Sequence, residues 1–162
     1  MNAKYVSVED DAGKVTRYVR HANGGGLIAP GASAAESARI GPMTYVEYGA
    51  RIGAGCRIGH GSWIDRDATI GDRAVIGDGV RIGRGTVIGN RVHIGSHSRI
   101  GSSVLIEHGV HLHADSAVPD GGHVPLGSTA RGFEQAKVPA ATKGASGEKD
   151  RGRRKSSGPM AA

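Results

Sequence analysis

The chain has 162 residues, enough for one domain with appendages, and carries 21 Lys and Arg against 15 Asp and Glu, for a net charge of +6 and a pI near 9.8. Only 4% of it is aromatic, and Cys56 is the single cysteine, which excludes a disulfide framework or a thiolate metal site within one chain. No 18-residue apolar run is present and the start MNAKYVSVEDD has no apolar signal region, so no membrane partner and a cytoplasmic location are expected.

Residues 1–27 read as a cap. Tyr5-Val6-Ser7-Val8 and Val15-Thr16-Arg17-Tyr18-Val19 alternate as two strands of a hairpin, joined by a loop containing Gly13. Its expected job is to cover the exposed strand edges of the repeats on its C-terminal side. Gly24-Gly25-Gly26 then makes a Gly-rich joint. It lacks the Lys-Ser/Thr and the helix start of a phosphate loop.

From Ile28 the chain repeats every six residues without a slip. The leading positions are Ile28, Ala34, Ile40, Val46, Ile52, Ile58, Ile64, Ile70, Ile76, Ile82, Ile88, Ile94, Ile100, Ile106 and Leu112, twelve of the fifteen being isoleucine. The second slot is Gly in nine hexads, and the fifth is small or β-branched, as at Ala32, Cys56, Ser62, Val80 and Val104. Six residues make one short strand and one turn, too little to bury anything alone, so stability must come from stacking. The leaders point inward, the fifth slots fill a narrow core, and Gly at the second or fourth slot is expected to supply the positive φ of each corner. A helix is excluded, because a period of six does not hold one face at 3.6 residues per turn. Cys56, in a fifth slot, reads as a small core hydrophobe.

The β-helix is expected over 28–129, with Val118 and Val124 still in phase as a fading sixth coil. Beyond lies a flexible basic tail, 130–162. Residues 131–162 hold eight Lys and Arg against three acids, leaving thirteen basic and twelve acidic residues in 1–130. The tail thus sets the pI, and its Lys149–Lys155 segment is expected to make at most weak polyanion contacts.

This pattern of aliphatic leader, small or acidic residue, two free positions, small residue and free position resembles the hexapeptide-repeat family. The resemblance implies an all-β, single-stranded left-handed parallel β-helix of about five coils, three hexads per coil, with residues eighteen apart stacked at about 4.8 Å. The left hand comes from the family alone, since the general crossover rule favours the right. The family's usual trimers, with sites between subunits, imply a homotrimer. Outward last-slot residues should form three columns: Tyr45, Trp63, Arg81 and Arg99; Thr69, Val87 and Leu105; Val75, His93 and His111. The second column fits a subunit contact.

Histidine is the informative reactive type, with five of eight between His93 and His113. His93 and His111 should stack, and His108 and His113 bracket the next corner, with Asn90 and Asp72 in the column of His108. Hexapeptide acyltransferases carry a general-base His in the third slot of a hexad, where His108 and His60 stand; neither is followed by the family's Asp-Cys. The resemblance implies His108 as the catalytic base, acyl-CoA as cofactor and a small amine or hydroxyl acceptor. A non-catalytic trimeric scaffold is the alternative, since no catalytic loop interrupts the coils. A third reading comes from Ile106-Glu-His108-Gly-Val-His111-Leu-His113, which is similar to the γ-class carbonic anhydrase stretch V-G-H-x-x-x-L-H-G. It implies zinc on His108 and His113, with Gly95 in the slot of the third ligand.

Overall fold

A computed structural model describes residues 4–126 and the backbone of the strand at 129–130. The expected tail, 131–162, lies outside the described residues. The fold is a left-handed parallel β-helix headed by a hairpin. Strands β1 (Tyr5–Glu9) and β2 (Val15–Arg20) pair antiparallel, Tyr5 opposite Val19. Eighteen two-residue strands come next, one every six residues, from β3 (Leu27–Ile28) to β20 (Thr129–Ala130).

These strands build three parallel faces in strict eighteen-residue register. The first face runs from β3 to β18 (Ala117–Val118), the second from β4 (Ser33–Ala34) to β19 (His123–Val124), and the third from β5 (Arg39–Ile40) to β20. Ile76, for example, lies between Ile58 and Ile94. The sixth coil contributes a strand to every face, and Val118 and Val124 are buried like the leaders before them.

The core is aliphatic and narrow. Ile40, Ile64, Ile82 and Ile106 are fully buried, beside fifth-slot Ala50, Ala74, Val92 and Val110. Fifth-slot hydroxyls are buried too, and each finds a carbonyl. Ser62 Oγ donates to Gly77 at 2.9 Å and Thr86 Oγ1 to Gly101 at 2.6 Å, so their burial carries no unmet polar group. Cys56 is in the core as expected. Its Sγ donates to the Gly71 carbonyl, and burial pushes the thiol above its ordinary range.

The two glycine slots do different work. Every fourth slot from Met43 to Gly121 has positive φ, whether it holds Gly or one of seven other residues such as Asp67, Arg91 and His97, whose φ values lie between 55° and 64°. No second-slot glycine does. A Cβ there would meet the next coil: at Gly71 it would lie 2.4 Å from Asn90 Oδ1 and 2.8 Å from the Gly89 carbonyl carbon. The fourth slot turns the corner, and the second slot is bare because another backbone presses on it.

The cap closes two faces of the first coil. β2 extends the first face by pairing with β3, and Tyr18, Leu27 and Ala29 form a small core of their own. On the third face, Ile40 N–H donates to the Asn23 carbonyl and Gly26 N–H to the Ile40 carbonyl. The glycines of the joint are tightly packed there, with a Cβ on Gly26 falling 2.1 Å from Ile40 Cγ2.

Candidate functional site

The corner between the second and third faces carries a ladder of third-slot side chains. Each folds back over the glycine of the coil before and accepts that coil's third-slot N–H. Ala54 N–H donates to Asp72 Oδ1 at 3.0 Å, Asp72 N–H to Asn90 Oδ1 at 2.8 Å, and Asn90 N–H to His108 Nδ1 at 2.8 Å. His108 thus takes the place of a carboxylate or amide oxygen. A backbone N–H can only donate, so Nδ1 of neutral His108 holds its lone pair there and Nε2 carries the proton. A general base needs a free lone pair, and in this geometry the exposed edge of His108 presents an N–H instead.

The ladder stops at the next coil because the third slot is Leu126, which is exposed and has no acceptor. Position 107 holds Glu where the same slot below it holds Gly53, Gly71 and Gly89. Glu107 stands there, half-exposed, and its Oε2 contacts His123 Nε2 from the coil above. His123 lies in β19, directly opposite Leu105 of β16 (Leu105–Ile106). Glu107 thus meets His123 of coil six, while the ring of its chain neighbour His108 bonds Asn90 of coil four.

The remaining histidines are dispersed. His93 and His111 stack as expected, with ring centroids 4.4 Å apart on the third face. His60 is in the third slot of another corner, where Asp78 Oδ1 accepts its N–H at 3.0 Å and lies 3.3 Å from its Nδ1. His108 and His113 do not bracket one corner. They flank β17 (His111–Leu112) and stand on successive corners, and the His113 carbonyl accepts from the Ser116 hydroxyl at 2.6 Å. Among the described residues no group of three His, Cys, Asp or Glu side chains is placed to hold a metal ion. The residues present thus do not fit the zinc set that the pair implied.

The outward columns are as expected. Tyr45 meets Trp63 at 5.1 Å between centroids, with Tyr18 of the cap edge-on to Tyr45 at 5.3 Å and Arg81 5.9 Å above the Trp63 ring. Val87 and Leu105 are each more than two-fifths exposed on the second face. Among the described residues no helix is long and apolar enough to cross a membrane.

The Glu107–His123 pair was not evident from the sequence. Its signal is faint: a His closing a hexad one coil above Leu105, and an acid in a slot where nine hexads have Gly.

Several solved structures that share this geometry are acyl-transfer enzymes. The chain is similar to the acetyltransferase domain of PglB from Neisseria gonorrhoeae, at 27% identity and TM-score 0.59 over 65% of this chain and 54% of that one. It is also similar to a histidine-to-asparagine mutant of perosamine N-acetyltransferase from Caulobacter crescentus, solved with CoA and GDP-perosamine, at 25% identity and TM-score 0.62 over 65% and 50%. The acyltransferase LpxA from Bacteroides fragilis shares the fold at 17% identity and TM-score 0.52, over 66% and 55%. The chain spans about half the length of these solved structures. No curated protein matches the sequence. The family described as GMPPB C-terminal domain matches residues 22–120, which take in the end of the cap and five coils, and the chain belongs to that family.

Proposed function

We propose that this chain is a coenzyme A-dependent acyltransferase, moving an acyl group from a thioester to an amine or hydroxyl, with a sugar nucleotide as the acceptor class. The observation that carries the reading is its similarity to two acetyltransferases, one of them holding CoA and a GDP-sugar. A homotrimer assembled through the Val87 and Leu105 column would bring the corner of Glu107 and His108 to a groove between subunits. There the Nε2–H of His108 has the donor character needed to stabilise the oxyanion that forms on a thioester carbonyl. Titration calorimetry with acetyl-CoA tests the reading before any acceptor is known. Stoichiometric heat is expected. Its absence with acetyl-CoA and with longer acyl thioesters overturns the proposal.

One observation favours a second reading, a non-catalytic trimeric scaffold. The bond from Asn90 N–H gives His108 a full structural role in the ladder, the same role that Asn90 and Asp72 fill without any chemistry. A scaffold would assemble normally, bind no acyl thioester and keep its assembly in His108→Asn.

A further inference from the structure

We infer that the paired rings of His93 and His111 form a two-histidine site for a divalent transition-metal ion, copper before zinc. The site is separate from the acyltransferase reading and does not rest on it. Register supplies the first observation. His93 lies directly opposite His111 in the parallel strands β14 (His93–Ile94) and β17, and both residues are exposed on the third face. Their backbones are locked together, His93 N–H donating to the Val110 carbonyl and Gly95 N–H to the Leu112 carbonyl, each at 2.8 Å. The two ligands are therefore fixed one rung apart before any ion arrives, which lowers the ordering cost of binding.

Ring geometry is the second. The centroids are 4.4 Å apart and the planes are inclined by 36°, so the rings approach more closely along one edge. Two imidazole nitrogens on a tetrahedral ion, each at about 2.0–2.1 Å, stand about 3.4 Å from one another. A small inward turn of these rings reaches that separation. The third observation is that the nitrogens are free. His108 commits Nδ1 to Asn90, His123 commits Nε2 to Glu107, and His60 Nδ1 faces Asp78. Among the described residues no hydrogen bond or ion pair holds a ring nitrogen of His93 or His111.

Charge separates an ion site from a simple stack of rings. Two protonated rings directly opposite one another repel, and among the described residues no carboxylate pairs with either to offset it. Two neutral rings can turn two lone pairs to one point, and a divalent cation is the partner that both can share. Imidazole suits copper, nickel and zinc, and copper binds most tightly to a nitrogen site of no fixed geometry. Val75 lies in the rung below His93, and Arg57 in the rung below that. Arg57 is thus about 9.6 Å from His93 along the column, where solvent and salt screen much of its repulsion. Two protein ligands leave water to complete the coordination, so the ion is held as an open clip between coils four and five.

The test uses the full-length chain without an added tag, titrated with a cupric or a zinc salt alone. Calorimetry should show one ion per chain that is lost when His93→Gln and His111→Gln are combined. Each substitution by itself should weaken binding more than about tenfold, since losing even a residue that only orients a ligand costs that much. Electron paramagnetic resonance of the cupric form should show two imidazole nitrogens in wild type and one in either single variant. Saturating ion should raise the melting temperature of wild type and leave that of the double variant unchanged, because the ion binds only where coils four and five are stacked. Both residues are exposed, so the variants should fold as wild type does, which circular dichroism checks. A wild-type chain that takes up no ion at micromolar metal overturns the inference, as does a wild-type spectrum without two imidazole nitrogens. A folded double variant that binds as wild type does overturns it too, by placing the ion on other groups.

Discussion

The phenol of Tyr18 donates to both oxygens of Glu47, at 2.9 and 3.0 Å, tying the cap strand β2 to the corner after β6 (Tyr45–Val46). Burial is the main cause, with the Glu47 carboxylate second, of a Tyr18 pKa held well above the ordinary phenol value. Burial likewise raises Glu47, with Asp65 adding to it and the Tyr18 bond and Arg66 opposing. Both groups bind their protons more tightly folded than unfolded. Their stabilisation is therefore full below the unfolded pKa and is lost as pH rises toward the folded one. For Tyr18 that window opens near pH 10. Tyr18→Phe should cost about 1–3 kcal/mol at neutral pH, and the gap to wild type should narrow as pH rises past 10. Urea unfolding at pH 7 and pH 10.5 reads both effects; a gap that widens with pH contradicts the assignment.

Ile76 is 2% exposed between Ile58 and Ile94. Ile76→Asp should abolish cooperative folding, since the carboxylate would have no partner in an aliphatic core. Ile76→Val should cost only about 0.5–1.5 kcal/mol. Circular dichroism melts check both, and a folded, soluble Ile76→Asp protein would mean that the inward phase is wrong.

The two glycine slots should respond differently to alanine. At Gly61 a Cβ would meet nothing within 4 Å, so Gly61→Ala incurs only the left-handed backbone penalty, about 1–2 kcal/mol. At Gly89 it would lie 2.7 Å from His108 N and 2.8 Å from His108 Nδ1. Gly89→Ala should therefore cost clearly more and break the bond from Asn90 to His108. Comparable melting temperatures for the two variants would argue against close approach as the reason for second-slot glycine.

Leu105→Asp should weaken the proposed trimer, because a charge would enter a contact that excludes water. Light scattering at micromolar concentration should give three chains for wild type and fewer for the variant. A wild-type monomer would rule out that subunit contact.

Most of the fold was legible because one inward residue in six is enough to set phase: the spacing of Ile52, Ile70 and Ile88 by itself fixes the second face. The reason for second-slot glycine was not legible. A repeat specifies which slot a residue occupies, but not that Asp72 or Asn90 will fold back upon the coil before it. The same blind spot hid the state of His108, whose slot was evident and whose Nδ1 partner was not. His123 and Glu107 escaped notice for another reason. They are sixteen residues apart in the chain, and only the stacking of coil six on coil five brings a last-slot histidine within reach of a second-slot acid.

The unbroken eighteen-residue register makes the molecule a ruler whose length and angular setting are separable. Excising residues 65–82 would shorten it by one rung, about 4.8 Å, and return every later side chain to its own face. Excising only residues 65–70 would preserve the hexad phase and the buried leaders. It would also rotate everything downstream by a third of a turn, moving Leu105 and His123 into line with Tyr45 and Trp63. The core would accept either deletion, while any partner gripping the outer surface would tolerate only the first. Selection on such a surface therefore acts on whole coils, and single hexads are confined to changes that no partner reads.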